Sequence, residues 1–338
     1  MKHYQIAVLA YPHCLLSAVY GFVETFELAN EACEEAGLEV RITTHILYEA
    51  DLLNKQATQQ PYHAVLLPPS LEKASYSEKN ASINDFLIAQ HRQGAMLCSA
   101  CAGAFFLAYT GLTDKRIMTT HWALEGLFRE RFPQQAMDTS KILINQGDVI
   151  SAGGMMSWVD LVLELVQALT NAHVVRQLGK TLVIDTGKRE QRYYQQFQPN
   201  FDHGDAAILT VQHHLQGHFA ELQRTESMAA LAKLTPRTFL RRFAKCTGFN
   251  PNEYLQRLRI QVVCDKLEET TLPFESIALQ VGYEDVGSCR KAFQKIMGLT
   301  PSAFRQRFVS INNNTQSTIN RVAPSVVEER CGSASSAT

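Results

Sequence analysis

Thr235-Pro-Arg-Thr-Phe-Leu-Arg-Arg-Phe-Ala-Lys-Cys-Thr-Gly-Phe-Asn-Pro-Asn-Glu-Tyr-Leu-Gln-Arg-Leu258 is followed, fifty residues on, by Asp285-Val-Gly-Ser-Cys-Arg-Lys-Ala-Phe-Gln-Lys-Ile-Met-Gly-Leu-Thr-Pro-Ser-Ala-Phe-Arg-Gln-Arg-Phe308. Laid over each other without a gap, they share Phe243/Phe293, Lys245/Lys295, Gly248/Gly298, Pro251/Pro301, Gln256/Gln306 and Arg257/Arg307. Ordinary composition gives roughly one or two such coincidences in a stretch of this length. The chain therefore carries one short basic unit twice. Two copies of a basic helix are what reading two places on a duplex requires.

Each copy parses as helix, tight turn and second helix. In the first, Met228-Ala-Ala-Leu-Ala is a short helix with a turn near Lys233. Thr235 then caps a new helix with Pro236 at its first position. Phe239 and Phe243 fall on one face and look inward. Arg237, Thr238, Arg241, Arg242 and Lys245 supply the polar surface. In the second, Ile277-Ala-Leu-Gln-Val-Gly-Tyr is helix and turn, with Gly282 supplying the permissive backbone. Asp285 caps a helix exposing Gly287, Ser288, Lys291 and Lys295. These nine residues are the expected DNA-contacting set, since the second helix of such a unit offers its first half to base edges and its flanks to phosphates. Between the copies, Asn250-Pro-Asn-Glu starts a helix running to about Glu269. Twenty residues span roughly 30 Å, against about 34 Å for one turn of B-DNA. The spacing predicts two reading helices in successive major grooves on one face. The alternative is a helical bundle with a charged exterior.

Charge follows the same division. The chain has 338 residues and a net charge of −1, yet residues 1–185 carry 13 Lys+Arg against 19 Asp+Glu, and residues 235–309 carry 12 against 7. Attraction to phosphate concentrates in the repeated end. With 46% hydrophobic and 19% charged residues and no run of eighteen apolar residues, no membrane-spanning helix is expected. Met1–Ala10 reads as a strand rather than a secretion signal. The eight scattered cysteines fit reduced thiols in a cytoplasm better than a disulfide framework.

The first part alternates strand and helix. Strand patterns occupy Gln5–Tyr11, Leu38–Leu47, Tyr62–Leu67, Ala95–Ala100 and Ile142–Ile150. Helical patterns occupy Ser17–Glu35, Ile83–Gln93, Gly103–Tyr109, Ala123–Arg131 and Ser157–Leu169. Such alternation predicts a mostly parallel sheet with helices on both faces. The expected domains are 1–185, a linker over 186–204, an all-α domain over 205–309 with two helix-turn-helix motifs, and a disordered Asn/Ser/Thr-rich tail over 310–338. Arg189-Glu-Gln-Arg-Tyr-Tyr-Gln-Gln-Phe197 inside the linker has three aromatics, which points to packing on something.

Ala95-Met-Leu-Cys-Ser-Ala-Cys-Ala-Gly-Ala-Phe-Phe is a buried strand turning sharply into a helix with Cys101 at the corner. A thiol there sits at a helix N-terminus, where the dipole favours thiolate. His121 and Glu24 would complete a nucleophile, its base and an orienting acid. The alternative is a buried structural cysteine. Ser151-Ala-Gly153-Gly154 before a helix can receive an anionic group on backbone N–H donors, or can be an ordinary tight turn. Cys98-Ser-Ala-Cys101 has no second pair for zinc, and neither metal nor cofactor is expected.

The segment from about Asp205 to Phe308 resembles the DNA-binding domain of the AraC/XylS transcription regulators. The resemblance is carried by Ile277-Ala-Leu-Gln-Val-Gly-Tyr-Glu-Asp, Phe293, Gly298, Thr300-Pro-Ser-Ala-Phe-Arg305, Thr235-Pro-Arg-Thr-Phe-Leu-Arg-Arg-Phe and Thr247-Gly. Lys233, Cys289 and Gly287 depart from that pattern. Residues 1 to about 185 resemble the PfpI-type, glutamine-amidotransferase-like domain, on Cys101-Ala-Gly-Ala-Phe and His121, with Glu24 a looser match. Together they resemble the GlxA-type subgroup. The resemblance implies a flavodoxin-like parallel sheet, an α/β domain repurposed to sense a small, often nitrogen-containing metabolite near Cys101 and His121, and a cytoplasmic homodimer. It also implies double-stranded DNA, a small-molecule effector and RNA polymerase as partners, and no enzymatic turnover. A cysteine hydrolase or amidase with an accessory DNA-binding domain is the competing class.

Overall fold

The computed structural model describes residues 1–53, 60–187 and 189–308. The chain divides into two compact units, Met1–Gln195 and a second that begins at Gln196. The tail over 310–338 lies outside the described residues.

In the first unit, β1 (Lys2–Ala10) is followed by α1 (Leu16–Glu35), β2 (Val40–Tyr48), β3 (Ala64–Leu67), α2 (Ala81–Arg92), β4 (Met96–Ala100) and α3 (Gly103–Tyr109). Then come β5 (Ile117–Met118), α4 (Glu125–Arg131), β6 (Ala136–Met137), β7 (Leu143–Asn145), β8 (Val149–Ala152), α5 (Trp158–Leu169) and α6 (Ala172–Leu182). The main sheet has the order β2-β1-β3-β4-β8-β7. All its pairings are parallel except β7 with β8. Ile6, Ala7, Val8 and Leu9 are wholly buried, as a strand covered by helices on both faces demands. Helix α1 buries Ala18, Val19, Phe22, Phe26, Ala29 and Cys33, the three-and-four spacing of one apolar stripe.

One sequence expectation needs correction here. Ile142–Ile150 is not one strand: the chain reverses at Gly147, and β7 returns antiparallel on β8. Asn145 holds that turn by accepting from the Gly147 N–H at 2.8 Å. Part of the segment expected as a linker over 186–204 packs on the first unit. Arg189 pairs bidentately with Asp160 at 2.9 and 2.6 Å, and Gln191 is wholly enclosed in the first unit. Phe197 already belongs to the second unit, in edge contact with Tyr254. Helix α6, started by Asn171 accepting from His173 and Val174 N–H, had no sequence expectation.

The second unit is helical: α7 (Ala206–His218), α8 (Thr225–Leu231), α9 (Pro236–Thr247), α10 (Pro251–Glu269), α11 (Phe274–Gln280), α12 (Val286–Met297) and α13 (Pro301–Phe308). It has two apolar cores rather than one. Tyr254, Leu255 and Leu258 of α10 join Phe239, Phe243, Met228 and residues of α7. Ile260, Val263, Cys264 and Leu267 of the same helix join Ile277, Cys289, Phe293 and Phe304. Helix α10 is thus the shared spine, with one half in each core.

The repeat is structural as well as textual. Helices α9 and α12 each run twelve residues. Each is stopped by a glycine in the left-handed region, Gly248 at φ +78° and Gly298 at φ +73°. Each starts on a side-chain cap: Thr235 accepts from Thr238 N–H, and Asp285 accepts from Gly287 and Ser288 N–H. Lys233 (φ +54°) and Gly282 (φ +86°) occupy corresponding turns. A Cβ at Gly282 would lie 2.1 Å from the Ala220 carbonyl oxygen, so that turn admits no side chain. Lys233 is exposed, which is why the first turn tolerates it at the cost of a strained backbone.

Candidate nucleic-acid interface and the Cys101 elbow

Phe239 and Phe243 anchor α9 in its core, and Cys289 and Phe293 anchor α12 in the other. Anchoring those faces turns the opposite faces outward. Arg237, Arg241 and Lys245 are exposed on α9, with Thr238 half-buried. Gly287, Ser288, Lys291 and Lys295 are exposed on α12. Among the described residues, no hydrogen bond or ion pair engages the side chains of Arg237, Arg241, Lys245, Lys291 or Lys295. Unpaired cations on an exposed helix face remain available to phosphate and to guanine edges.

Three residues of the sequence-based set are differently placed. Arg242 donates to both carboxylate oxygens of Asp205, at 2.8 and 2.6 Å, so it braces the first motif rather than extending its reading face. Ser288 donates its hydroxyl to Asp285 at 2.6 Å, and Thr238 accepts from the Thr235 hydroxyl at 3.0 Å. Both keep lone pairs that can accept from a base. Arg290, which sequence reasoning passed over, is exposed on α12, paired with Glu275 at 3.0 Å and laid over the Phe274 ring. Its signal was weak because the matching residue of the first copy is Leu240.

In the α/β unit, Cys101 stands where β4 passes into α3, at φ +53°. A left-handed, β-carbon-bearing residue at such a corner is a strained elbow. Its environment is not activating. Burial pushes the Cys101 thiol up to about 12, against a smaller opposing effect from the Ala102 N–H. The expected helix-dipole activation is therefore overruled by desolvation, because the side chain is almost entirely enclosed. Tyr11 lies close by, its hydroxyl donating to the Pro68 carbonyl at 2.5 Å.

The His121 Nδ1 accepts from the Ala123 N–H at 3.1 Å. In the neutral ring that places the proton on Nε2 and leaves the one lone pair, on Nδ1, engaged by the backbone. Burial lowers the His121 pKa, which keeps the ring neutral. Glu24 is exposed on α1. Among the described residues no hydrogen bond joins Cys101, His121 and Glu24, so the structure does not assemble them as a triad.

The Gly153 N–H donates to the Ile142 carbonyl at 2.8 Å, and α5 begins only at Trp158. Gly153 and Gly154 therefore do not stand at a helix N-terminus, and the Gly153 N–H is not open to an anion. What Gly153 does is make room: a Cβ there would fall 2.3 Å from the Gln191 side-chain nitrogen. Thr120 links the two neighbourhoods. Its hydroxyl donates to the Cys101 carbonyl at 2.8 Å, and its own carbonyl accepts from Gln191 at 2.9 Å. Sequence reasoning gave Thr120 no role, and its one hint toward Gln191 was that the three aromatics of 189–197 pointed to packing. Among the described residues, no cluster of three or more His, Cys, Asp or Glu could hold a metal ion, and no helix is long and apolar enough to cross a membrane.

An open parallel α/β domain with a cysteine elbow, followed by a helical domain with two helix-turn-helix units, defines the class. Residues 19–168 match the DJ-1/PfpI family and residues 228–307 match a helix-turn-helix domain. The two matches follow one another in the order that the resemblance to the GlxA-type proteins implies, a DJ-1/PfpI region before a helix-turn-helix region.

It is 23% identical to the HTH-type transcriptional regulator GbdR of Pseudomonas aeruginosa, over 65% of this chain and 60% of that protein. It is 22% identical to the HTH-type transcriptional regulator GlxA of Rhizobium meliloti, over 72% of this chain and 75% of that protein. Over a shorter stretch, 24% of this chain and 29% of the relative, it is 35% identical to the RCS-specific HTH-type transcriptional activator RclR of Escherichia coli. The chain thus spans about 60% of the length of the first of these relatives.

Proposed function

We propose that this chain is a bacterial transcription regulator that binds operator DNA through α9 and α12. Its α/β unit senses a small metabolite and aids homodimerisation. The observation that carries the reading is the pair of capped, basic, outward-facing helices held on the two halves of one spine, α10. Helix α10 has nineteen residues, or roughly 28 Å at 1.5 Å per residue, which suits two readers one duplex turn apart. The names of GbdR and GlxA as transcriptional regulators support the same reading. RNA polymerase is the expected downstream partner, and the cytoplasm the expected place of action.

The α/β unit acts in this proposal as a binding module rather than an enzyme. The protonated Cys101 thiol and a His121 whose free nitrogen carries a proton support that choice over a cysteine hydrolase. Arg237, Thr238, Arg241 and Lys245 on α9, and Gly287, Ser288, Lys291 and Lys295 on α12, form the proposed reading surface. The metabolite site is proposed beside Cys101, His121 and the Gly153 turn.

Genome-wide mapping of bound sites, followed by footprinting with Arg237→Ala and Arg241→Ala, tests the DNA reading. Protection of a defined sequence that weakens in both variants supports it. Unchanged footprints in both would remove α9 from the interface.

A further inference from the structure

The Gln191 side chain is held by an unusually complete set of backbone groups. Its Nε2 donates to the carbonyls of Thr120 and Thr139, both at 2.9 Å, and to that of Lys141 at 3.4 Å. Its Oε1 accepts from the Trp122 N–H at 2.9 Å. The residue is 1% exposed, and the absent Cβ of Gly153 supplies the space for the amide. Three acceptors on one side and one donor on the other match a primary carboxamide, which has two N–H donors and a carbonyl oxygen. A carboxylate would face carbonyl lone pairs, a guanidinium would leave the Trp122 N–H unpaired, and a hydrocarbon would strand all four groups. The slot adjoins the elbow through Thr120, whose hydroxyl is on the Cys101 carbonyl.

We propose that this slot is a carboxamide-binding site filled by the chain's own Gln191, and that an effector carrying a free primary amide competes for it. Gln191 lies four residues before Gln195, where the first unit ends. Displacing it frees the segment entering the DNA-binding unit from its central tie. The segment's other ties include the Arg189–Asp160 and Lys141–Glu190 pairs, the Gln191 and Arg192 N–H bonds to the Ser140 carbonyl, and the Gln195 amide donating to the Thr139 hydroxyl at 3.3 Å. The regulatory consequence rests on the sensor reading above; binding in the slot does not. A tethered side chain competes at an effective concentration on the order of millimolar or above. A minimal amide is therefore needed at tens of millimolar or more, roughly, while an effector with further contacts acts at less.

The full-length Gln191→Ala variant leaves the slot open, and propionamide is the probe that restores the missing group. Propionamide is expected to raise the variant's melting temperature by a few degrees at about ten times its dissociation constant. Propionate and N,N-dimethylpropionamide are expected not to. Adding Gly153→Ala, which puts a methyl group in the amide's place, should abolish the response. In the wild-type chain propionamide should speed tryptic cleavage after Arg189 and Arg192 by about tenfold, because cleavage follows the undocked fraction. Equal responses to all three probes in Gln191→Ala, or none, overturn the site. Wild-type cleavage that propionamide leaves unmoved, at concentrations saturating the variant, overturns the competition. If the variant does not fold, the wild-type cleavage comparison across the three probes decides alone. Affinity for a mapped DNA site is measured in parallel. Selective amide binding with unaltered DNA affinity would sink the sensor reading and leave the slot standing.

Discussion

Arg242 donates its Nε and Nη2 to the two carboxylate oxygens of Asp205, tying the first reading helix to the start of α7. Asp205 also caps α7 through the Ile208 N–H. One carboxylate therefore fixes both α9, the proposed reader, and the helix it packs on. Replacing Asp205 with Ala should cost about 1 kcal/mol through the lost cap alone. Replacing Arg242 with Ala should lower thermal stability while leaving the salt dependence of DNA binding unchanged. A salt slope that falls in Arg242→Ala would return this residue to the phosphate-contacting set.

The same pair sets a pH dependence. Arg242 holds the Asp205 carboxyl below its ordinary pKa, and Arg116 together with His91 does the same for Asp148 in the α/β unit. A depressed folded-state pKa adds stability above the unfolded value, near 3.9, that is lost as pH falls below it. Both sites are partly solvated, so the effect is screened. Denaturant melts at pH 6 and pH 3 should show stability falling on acidification. Asp148→Asn should flatten that fall in the first unit, and Asp205→Asn in the second.

On the reading surface, a base-contacting Arg237 or Arg241 should lose about 1–3 kcal/mol of binding on change to Ala, selectively at its own base position. Lys245→Ala and Lys295→Ala should weaken all sequences alike and reduce the salt slope by about 0.9 for each phosphate that is no longer neutralised. Binding measured on single-base variants of a mapped site, at several salt concentrations, separates the two behaviours.

The two turns predict opposite outcomes for similar changes. Lys233→Gly relieves a left-handed lysine worth about 1–2 kcal/mol, offset by roughly 0.5–1 kcal/mol of added unfolded-state freedom. A net gain of about 0.5–1 kcal/mol is expected. Gly282→Ala drives a methyl into the Ala220 carbonyl and should cost about 3 kcal/mol or more. Chemical denaturation of the two variants gives both signs directly.

Cys101, with its pKa pushed up to about 12, should be alkylated by iodoacetamide at pH 8 more than about tenfold slower in the folded chain than in denaturant. Fast, selective labelling of native Cys101, mapped by mass spectrometry, would revive the nucleophile.

Most of the helical unit was legible because its information is local. Thr235, Asn250 and Asp285 cap the next few residues, Gly248 and Gly298 end the helices, and the phenylalanines repeat at helical spacing. The parallel sheet was legible in the same way, from apolar runs alternating with amphipathic ones. The reversal at Gly147 was hidden inside one apolar stretch, since an antiparallel pair and a longer strand share composition. Arg242 looked like another DNA-facing cation because its partner lies thirty-seven residues away.

What the amino-acid order alone determined is therefore the periodic part: two repeated basic helix-turn-helix units, a capped spine and a mostly parallel sheet. Tertiary structure alone decided which polar groups are already taken. It protonates Cys101 by enclosing it, sets the His121 tautomer through the Ala123 N–H, and turns a polar connector into a buried amide on Thr120, Thr139 and Trp122. The reason is physical: desolvation and hydrogen bonding depend on distances between groups far apart in sequence, and no local pattern records those distances.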